Sequence, residues 1–191
     1  MPAPSKLNLD QIVDEAIVLL REEGLDEVTL RKLAARLGVE APSLYRHIGG
    51  KPRLQALITL KLFRMQLDQV GMRSSWQEWL VELGRMFWTT QGAIPDCARL
   101  VLTTKFEPEQ LSTMSDWAAA ALVAHGIDRA TAFEMHLSVQ AFVLGLGGLA
   151  DGPNTDFMRR TMPLDAILDH TLSALVSGWE ARLAGMAATA S

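Results

Sequence analysis

Arg31, Lys32, Arg36, Ser43, Tyr45, Arg46 and His47 lie close together in the chain. They are hydrogen-bond donors plus one aromatic, the groups that meet phosphate oxygens and base edges. Between them run apolar positions spaced for one small core: Leu33, Ala34 and Leu37, then Val39, then Leu44 and Ile48. Gly38 directly follows Leu37, where a helix must end and the backbone needs a left-handed residue. Val39 plugs the turn, and Ala34 is small where two helices must cross. Pro42 has the fixed φ that suits a first helical turn. The spacing predicts a helix-turn-helix that offers its second helix to a major groove.

Charge agrees locally. The whole chain carries a formal −4, which does not suggest a nucleic-acid binder. From Arg31 to Arg64, however, eight basic residues stand against Glu40 alone, a local +7. Residues 71–191 hold eight basic and thirteen acidic residues, a net −5. A basic face on an acidic body is the electrostatic footprint of DNA binding.

The elements behind those residues are helical. Periodicity predicts helices over about 8–23 (Asn8 and Gln11 as a capping box), 30–37 (Thr29 as cap), 42–48 and 51–70. It continues with 75–91 behind a Ser75–Glu78 capping box, 95–103, 108–125, 128–149 and 163–183. A loop is expected at Gly152-Pro153, and frayed chain over 184–191. No convincing strand or hairpin signal is present. The fold class is therefore all-α: an N-terminal helix-turn-helix domain over 1–51 and a helical effector-binding and dimerisation domain over 52–191, with the helix over 51–70 as connector. No apolar run reads as long enough to span a bilayer, and Met1–Ser5 lacks the apolar core of a signal peptide. Cytoplasmic location, with no membrane partner, is the default.

Three stretches resemble the TetR family of bacterial transcriptional repressors: Ile12–Leu20, Gly24–Arg31 and Leu44–Lys51. The resemblance is dense over 8–70. It implies a dimer whose two helix-turn-helix units dock on a palindromic operator in double-stranded DNA. Arg31 would then reach a base edge. Ser43, Tyr45 and His47 would line the recognition helix, and Lys51, just before Pro52, would sit on a phosphate. Ala41 and Arg46 stand where other members carry different side chains; Arg46, a donor turned outward, reads as a base contact on its own chemistry. Thr29, Ala41 and Pro42 complete the expected DNA-binding set.

The second half carries all five tryptophans. Trp76, Trp79, Leu80, Leu83, Phe87 and Trp88 exceed what one helical face can bury, so that helix is either central to a core or lines a cavity. Ser75–Leu80, the Gly126 turn and Phe142–Gly145 resemble the tetracycline repressor branch. That implies a ligand cavity between helices, and a four-helix dimer bundle from the last two long helices. Met135, Leu146, Ala150, Leu168, Leu172, Leu175 and Val176 are the expected dimer contacts. The positions matching that branch's magnesium–drug ligands read Leu67, Leu83 and Val101, which cannot hold a hard cation. An apolar pocket for a small aromatic or lipophilic effector is expected instead. Its walls are Leu67, Leu83, Phe87, Val101, Trp117 and Phe133, with Thr104, His136 and Gln140 as polar contacts.

Other motifs carry less. Gly145-x-Gly-x-x-Ala150 matches a dinucleotide fingerprint but lacks the strand that must precede it. Glycines that let two helices approach closely account for it better. His125, His136 and His170 have no metal-ligand spacing, and Cys97 is alone, so no metal or other cofactor is expected. His125 reads as a helix C-terminal residue, His170 as partly exposed near the dimer seam, and Cys97 as a packed thiol. No Gly-x-Ser-x-Gly elbow or other catalytic set is found, and no enzyme activity is expected. The expectation is a ligand-responsive transcriptional repressor. The alternative is a helical small-molecule-binding or protein-interaction protein that keeps the fold without binding an operator.

Overall fold

The computed structural model describes residues 8–152 and 155–189. Among these residues every regular element is a helix, in the order α1 (Leu9–Glu23), α2 (Leu30–Leu37), α3 (Ala41–Ile48), α4 (Lys51–Val70), α5 (Trp76–Ala93), α6 (Cys97–Thr103), α7 (Pro108–Ala124), α8 (Arg129–Ala150), α9 (Thr155–Thr161) and α10 (Leu164–Thr189). The expected start at Met1–Ser5 and the loop at Pro153 lie outside the described residues.

Local chemistry sets the boundaries. Asn8 and Gln11 cap α1 reciprocally. The Thr29 hydroxyl accepts the Lys32 amide at 3.2 Å and opens α2. Gly38 ends α2 in the left-handed region (φ 66°), which lets the Val39 amide turn back to the Ala34 carbonyl at 3.0 Å. Ser75 opens α5 by accepting the Glu78 amide at 3.2 Å. The reciprocal half of that capping box is not formed, because Glu78 Oε2 accepts the Ser74 hydroxyl at 2.5 Å.

Two expectations fail at the C-terminal end. Helix α9 was not foreseen: seven residues with mixed polarity give little periodic signal. The tail does not fray at 184, since α10 continues to Thr189. Its alanine-rich end has high intrinsic helix propensity.

The chain forms two cores. The first gathers α1–α3 around Ile12, Leu20, Leu33, Leu44 and Ile48, and recruits Leu54, Ile58 and Leu62 from α4. Ile94, Cys97 and Leu100, from α6 and the turn before it, also belong to it. The second core packs α5, α7, α8 and α10 around Trp79, Leu83, Met135, Val139 and Leu172, with Phe63 and Val70 from α4. A Cβ on Gly84 would overlap the Leu172 side chain, so α5 and α10 approach closely there. Trp88 Nε1 donates to Asp165 Oδ1 at 2.8 Å, and Trp179 Nε1 donates to Ser138 Oγ at 3.2 Å. Helix α8, over 22 residues, is in fact long and apolar enough to cross a bilayer. It packs against α5, α7 and α10, as the central helix of a folded core does.

Candidate functional site: a DNA face and an interior cavity

The helix-turn-helix stands as the spacing predicts. Leu33, Ala34, Leu44 and Ile48 are buried. Arg31, Pro42, Tyr45, Arg46 and His47 are exposed; Thr29, Ala41, Ser43 and Lys51 are half-buried. Tyr45 leaves 54% of its surface free, a large aromatic presented outward from α3.

The basic residues divide in a way their numbers in the chain conceal. Lys32 is held by Glu23 at 2.6 Å and Glu27 at 2.5 Å. Arg36 is held by Glu15 at 2.5 Å and Glu22 at 2.6 Å. The hydrogen bonds they donate to these carboxylates raise both cations' pKa values above the usual range. Lys61 pairs with Asp14 and Asp10, and Arg64 with Asp68. Four of the eight cations behind the local +7 are therefore neutralised in place. Lys32 and Arg36 do not belong to the outward donor set, because α1 and, at Glu27, the loop after it lay carboxylates beside them. Among the described residues, Arg31, Arg46, Lys51 and Arg53 have no carboxylate within ion-pair distance. Lys51 stands near enough to Asp26 to help lower that carboxyl's pKa, an effect dominated by Arg99.

A second polar cluster holds α6 to the N-terminal helices within the first core. Asp96 adopts the left-handed region (φ 59°), and its Oδ2 accepts the Leu25 amide at 3.2 Å. Arg99 pairs with Asp96 at 3.0 Å and with Asp26 at 2.9 Å. The turn before α6 is thereby tied to the loop between α1 and α2.

Two small voids lie along α4, the first between the two cores and the second at the edge of the second core, beside the exposed Leu111 and Phe133. One, of about 30 Å³, is bounded by Thr59, Leu62, Phe63 and Gln66 of α4, Phe87 and Gln91 of α5, Cys97 and Val101 of α6, Met114 of α7, and Gln140 and Leu144 of α8. The other, of about 110 Å³, lies beyond Phe63, Met114 and Gln140 and is bounded also by Phe133 and His136. Of the expected pocket residues, Phe87, Val101, Phe133, His136 and Gln140 line these voids. Four do not. Leu83 is wholly buried in the second core, and Leu67 packs on its edge. Trp117 lies under the Arg64 guanidinium at 5.4 Å. The Thr104 hydroxyl is 3.2 Å from that of Thr59 and donates to the Leu100 carbonyl at 2.6 Å.

The lining has no acid and no cation. His136 is 1% exposed, its ring edge-on to Phe63 (5.4 Å) and Phe87 (5.7 Å). Burial pushes its pKa down to about 3, so the imidazole is neutral. Neither ring nitrogen has a hydrogen-bond partner in the protein. Gln91, 6% exposed, likewise has an unpartnered Oε1. Sequence reading missed Gln91, since a glutamine near the end of a helix reads as surface. The signal was Gly147: a Cβ there would overlap Gln91 Oε1. The glycine thus makes room for a side chain, not for a second helix as expected, and Gly145 and Gly148 face open space. The Cys97 thiol is buried and pushed up to about 11, chiefly by desolvation, in keeping with a packed thiol. His125 caps the C-terminus of α7 as expected, and His170 is exposed. Among the described residues no three His, Cys, Asp or Glu side chains gather as a metal site. The voids themselves offer no carboxylate to a hard cation.

The expected dimer contacts need correction. Met135, Leu146, Ala150, Leu168 and Leu172 are buried inside their own chain and cannot meet a partner. Leu175 and Val176 are half-buried. The apolar residues α8 leaves exposed are Ala130, Phe133, Leu137, Ala141 and Leu149, and Phe133, Leu137 and Ala141 stand at four-residue spacing along one face. Helix α10 is apolar along its length yet buries only Leu168 and Leu172 among its described residues.

Comparison with known proteins places this geometry. The family model for "Bacterial regulatory proteins, tetR family" matches residues 12–54. The chain is 31% identical over 112 residues to the class D tetracycline repressor of Escherichia coli, covering 58% of this chain and 51% of that protein. It is 31% identical over 143 residues to the class A repressor from transposon 1721 of E. coli, covering 74% of this chain and 66% of that one. The chain spans about half the length of the first of these relatives. A crystal structure of a TetR variant from Acinetobacter baumannii AYE in complex with minocycline superposes with a TM-score of 0.74. The two are 27% identical, over 93% of this chain and 98% of that one.

Proposed function

The chain belongs to the tetR family of bacterial regulatory proteins, and on that premise we propose that it is a dimeric repressor released from a palindromic operator by a small apolar ligand. The N-terminal unit over 1–51 binds DNA; the remainder over 52–191 takes the effector and forms the dimer. Arg31, Ser43 and Arg46 read bases, with Tyr45 and His47 beside them. Lys51 and the helix ends meet phosphates, with Thr29, Ala41 and Pro42 shaping the backbone. The dimer forms through the exposed faces of α8 and α10, doubled by a two-fold axis. It acts in the cytoplasm, as a regulator and not as an enzyme.

The observation that carries this reading is the position of the voids. Helix α4 gives Leu54, Ile58 and Leu62 to the first core and Phe63 and Val70 to the second, and Thr59–Gln66 faces the void between. Helix α6 is shared likewise: Cys97 and Leu100 enter the first core, while Cys97 and Val101 face the void. A molecule that enlarges the void on its α4–α6 side moves one of those two helices. Either motion turns the helix-turn-helix and changes the separation of the two recognition helices. The coupling need be only about 1–3 kcal/mol, and it is reciprocal.

The test is an electrophoretic mobility shift against the DNA flanking the chain's own gene, at two salt concentrations. Specific binding to a palindrome that weakens with salt is expected. No specific shift at either salt, against that DNA or a selected pool of random duplexes, overturns the reading. Once an inducer is in hand, equal inducer affinity with and without operator would sink the coupling mechanism.

A further inference from the structure

We infer that the cavity takes an uncharged ligand with a flat apolar body and a hydrogen-bond donor, and that Gln91 selects it by accepting that donor. The inference rests on the ligand-responsive reading above and adds the ligand's chemistry and the residue that reads it.

Charge is excluded first. Every lining side chain is apolar, a hydroxyl, an amide, a thiol held protonated or the neutral His136. An ion entering here would lose its hydration with no counter-charge to meet it, a cost that a small ligand's contacts do not offset. A neutral molecule meets no such barrier.

Polar demand comes second. Gln91 Oε1 is a buried acceptor with no donor in the protein, and both His136 nitrogens are also unpartnered. Leaving such groups unmet costs free energy in the empty protein, which a ligand recovers by satisfying them. The Gln91 amide cannot turn freely to find another partner, because it is seated in the notch above Gly147. A ligand hydroxyl or N–H fits that acceptor; an ether, ketone or carboxylate oxygen repels it. His136 in its neutral form offers one donor and one acceptor, so it tolerates either.

Shape comes third. The two voids are too small in this state for more than a few waters. They are separated by Phe63, Met114 and Gln140. Methionine is the side chain that moves most readily, so withdrawal of Met114 joins them into one slot with Phe63 and Phe87 along it. Gln91 also borders an open cleft of about 840 Å³ between α5, the end of α8 and the start of α10, so it stands between solvent and the slot.

The test uses three probes of one shape: 2-naphthol, naphthalene and 2-naphthoate, titrated calorimetrically into the full chain. 2-Naphthol is expected to bind at least about tenfold tighter than naphthalene, with 2-naphthoate weaker than either. Gln91→Met keeps the volume and removes the acceptor. It is expected to bring 2-naphthol down to the affinity of naphthalene and leave naphthalene unchanged. Gly147→Ala, which evicts the Gln91 amide without deleting it, is expected to do the same. 2-Naphthoate binding as well as 2-naphthol, a preference that survives both variants, or no binding of either neutral probe overturns the inference. A mobility shift on the same preparation separates this from the regulator reading. Loss of DNA binding with the probe ranking intact supports the inference and removes the regulator; DNA binding with the ranking reversed does the opposite.

Discussion

In the first core, Ile12, Leu33, Leu44 and Ile48 are closed over completely, and the polar groups around them are paired: Thr29 with a backbone amide, Lys32 and Arg36 with the carboxylates of α1. In the second, Trp79, Leu83 and Val139 are buried as fully, yet His136 and Gln91 sit among them with polar atoms that nothing satisfies. Among the described residues, every buried side-chain nitrogen or oxygen without a partner lies from α5 onward. A saturated core holds a fixed shape, which a DNA-reading surface requires. A core with unmet polar groups and voids holds binding free energy in reserve for a ligand.

The contrast breaks most visibly in packing. Leu44→Ala in the first core should cost about 2–5 kcal/mol of stability in urea unfolding, while Leu144→Ala, which already faces a void, should cost less than half as much. Equal costs would mean that the wall of the void is packed as tightly as the first core. On the DNA face, Arg46→Ala should weaken operator binding by about 1–3 kcal/mol and relax selection at one base position. Arg36→Ala, whose guanidinium is already held by Glu15 and Glu22, should leave binding unchanged within error. A uniform loss across all sequences from Arg46→Ala would make it a phosphate contact. Acid should sharpen the comparison through His136. Its folded pKa of about 3 lies below the unfolded value of 6.5, so the unfolded chain binds the extra proton. Stability should therefore fall as pH drops from about 6.5 toward 3, by about 2 kcal/mol at pH 5. In His136→Phe this part of the slope should vanish. The smallest effect belongs to the Thr29 cap: Thr29→Ala should cost about 1 kcal/mol in unfolding, and Thr29→Ser should restore it. Restored stability without restored operator binding would give the Thr29 methyl a role on the DNA.

Much of this was legible in the chain. The caps at Asn8, Thr29 and Ser75, the break at Gly38 and the spacing of Leu33, Leu44 and Ile48 are local signals; α1, α2 and α5 begin, and α2 ends, where those signals put them. The exposure of Arg31, Tyr45 and Arg46 follows from that spacing, because a helix with one apolar face must turn its other residues outward. The errors share one origin. Lys32 and Arg36 look free in the chain because Glu15, Glu22 and Glu23 come from another helix. An apolar residue on a long helix reads the same whether its own chain, a ligand or a partner covers it, so Met135, Leu168 and Leu172 look like dimer contacts and Leu83 and Trp117 like pocket walls. The burial of Gln91 depends on the notch at Gly147, which no local signal shows.

Sequence by itself determined the helices, their ends, the helix-turn-helix and the residues it turns outward, since each rests on neighbours within a few positions. Tertiary structure alone decided which cations stay unpaired, which apolar faces remain uncovered, and that His136 and Gln91 are left unsatisfied around a void shared by α4 and α6. Those are properties of contacts between distant segments: charge is cancelled and polar groups are satisfied by whatever the fold brings near, and periodicity within one helix cannot say what that will be.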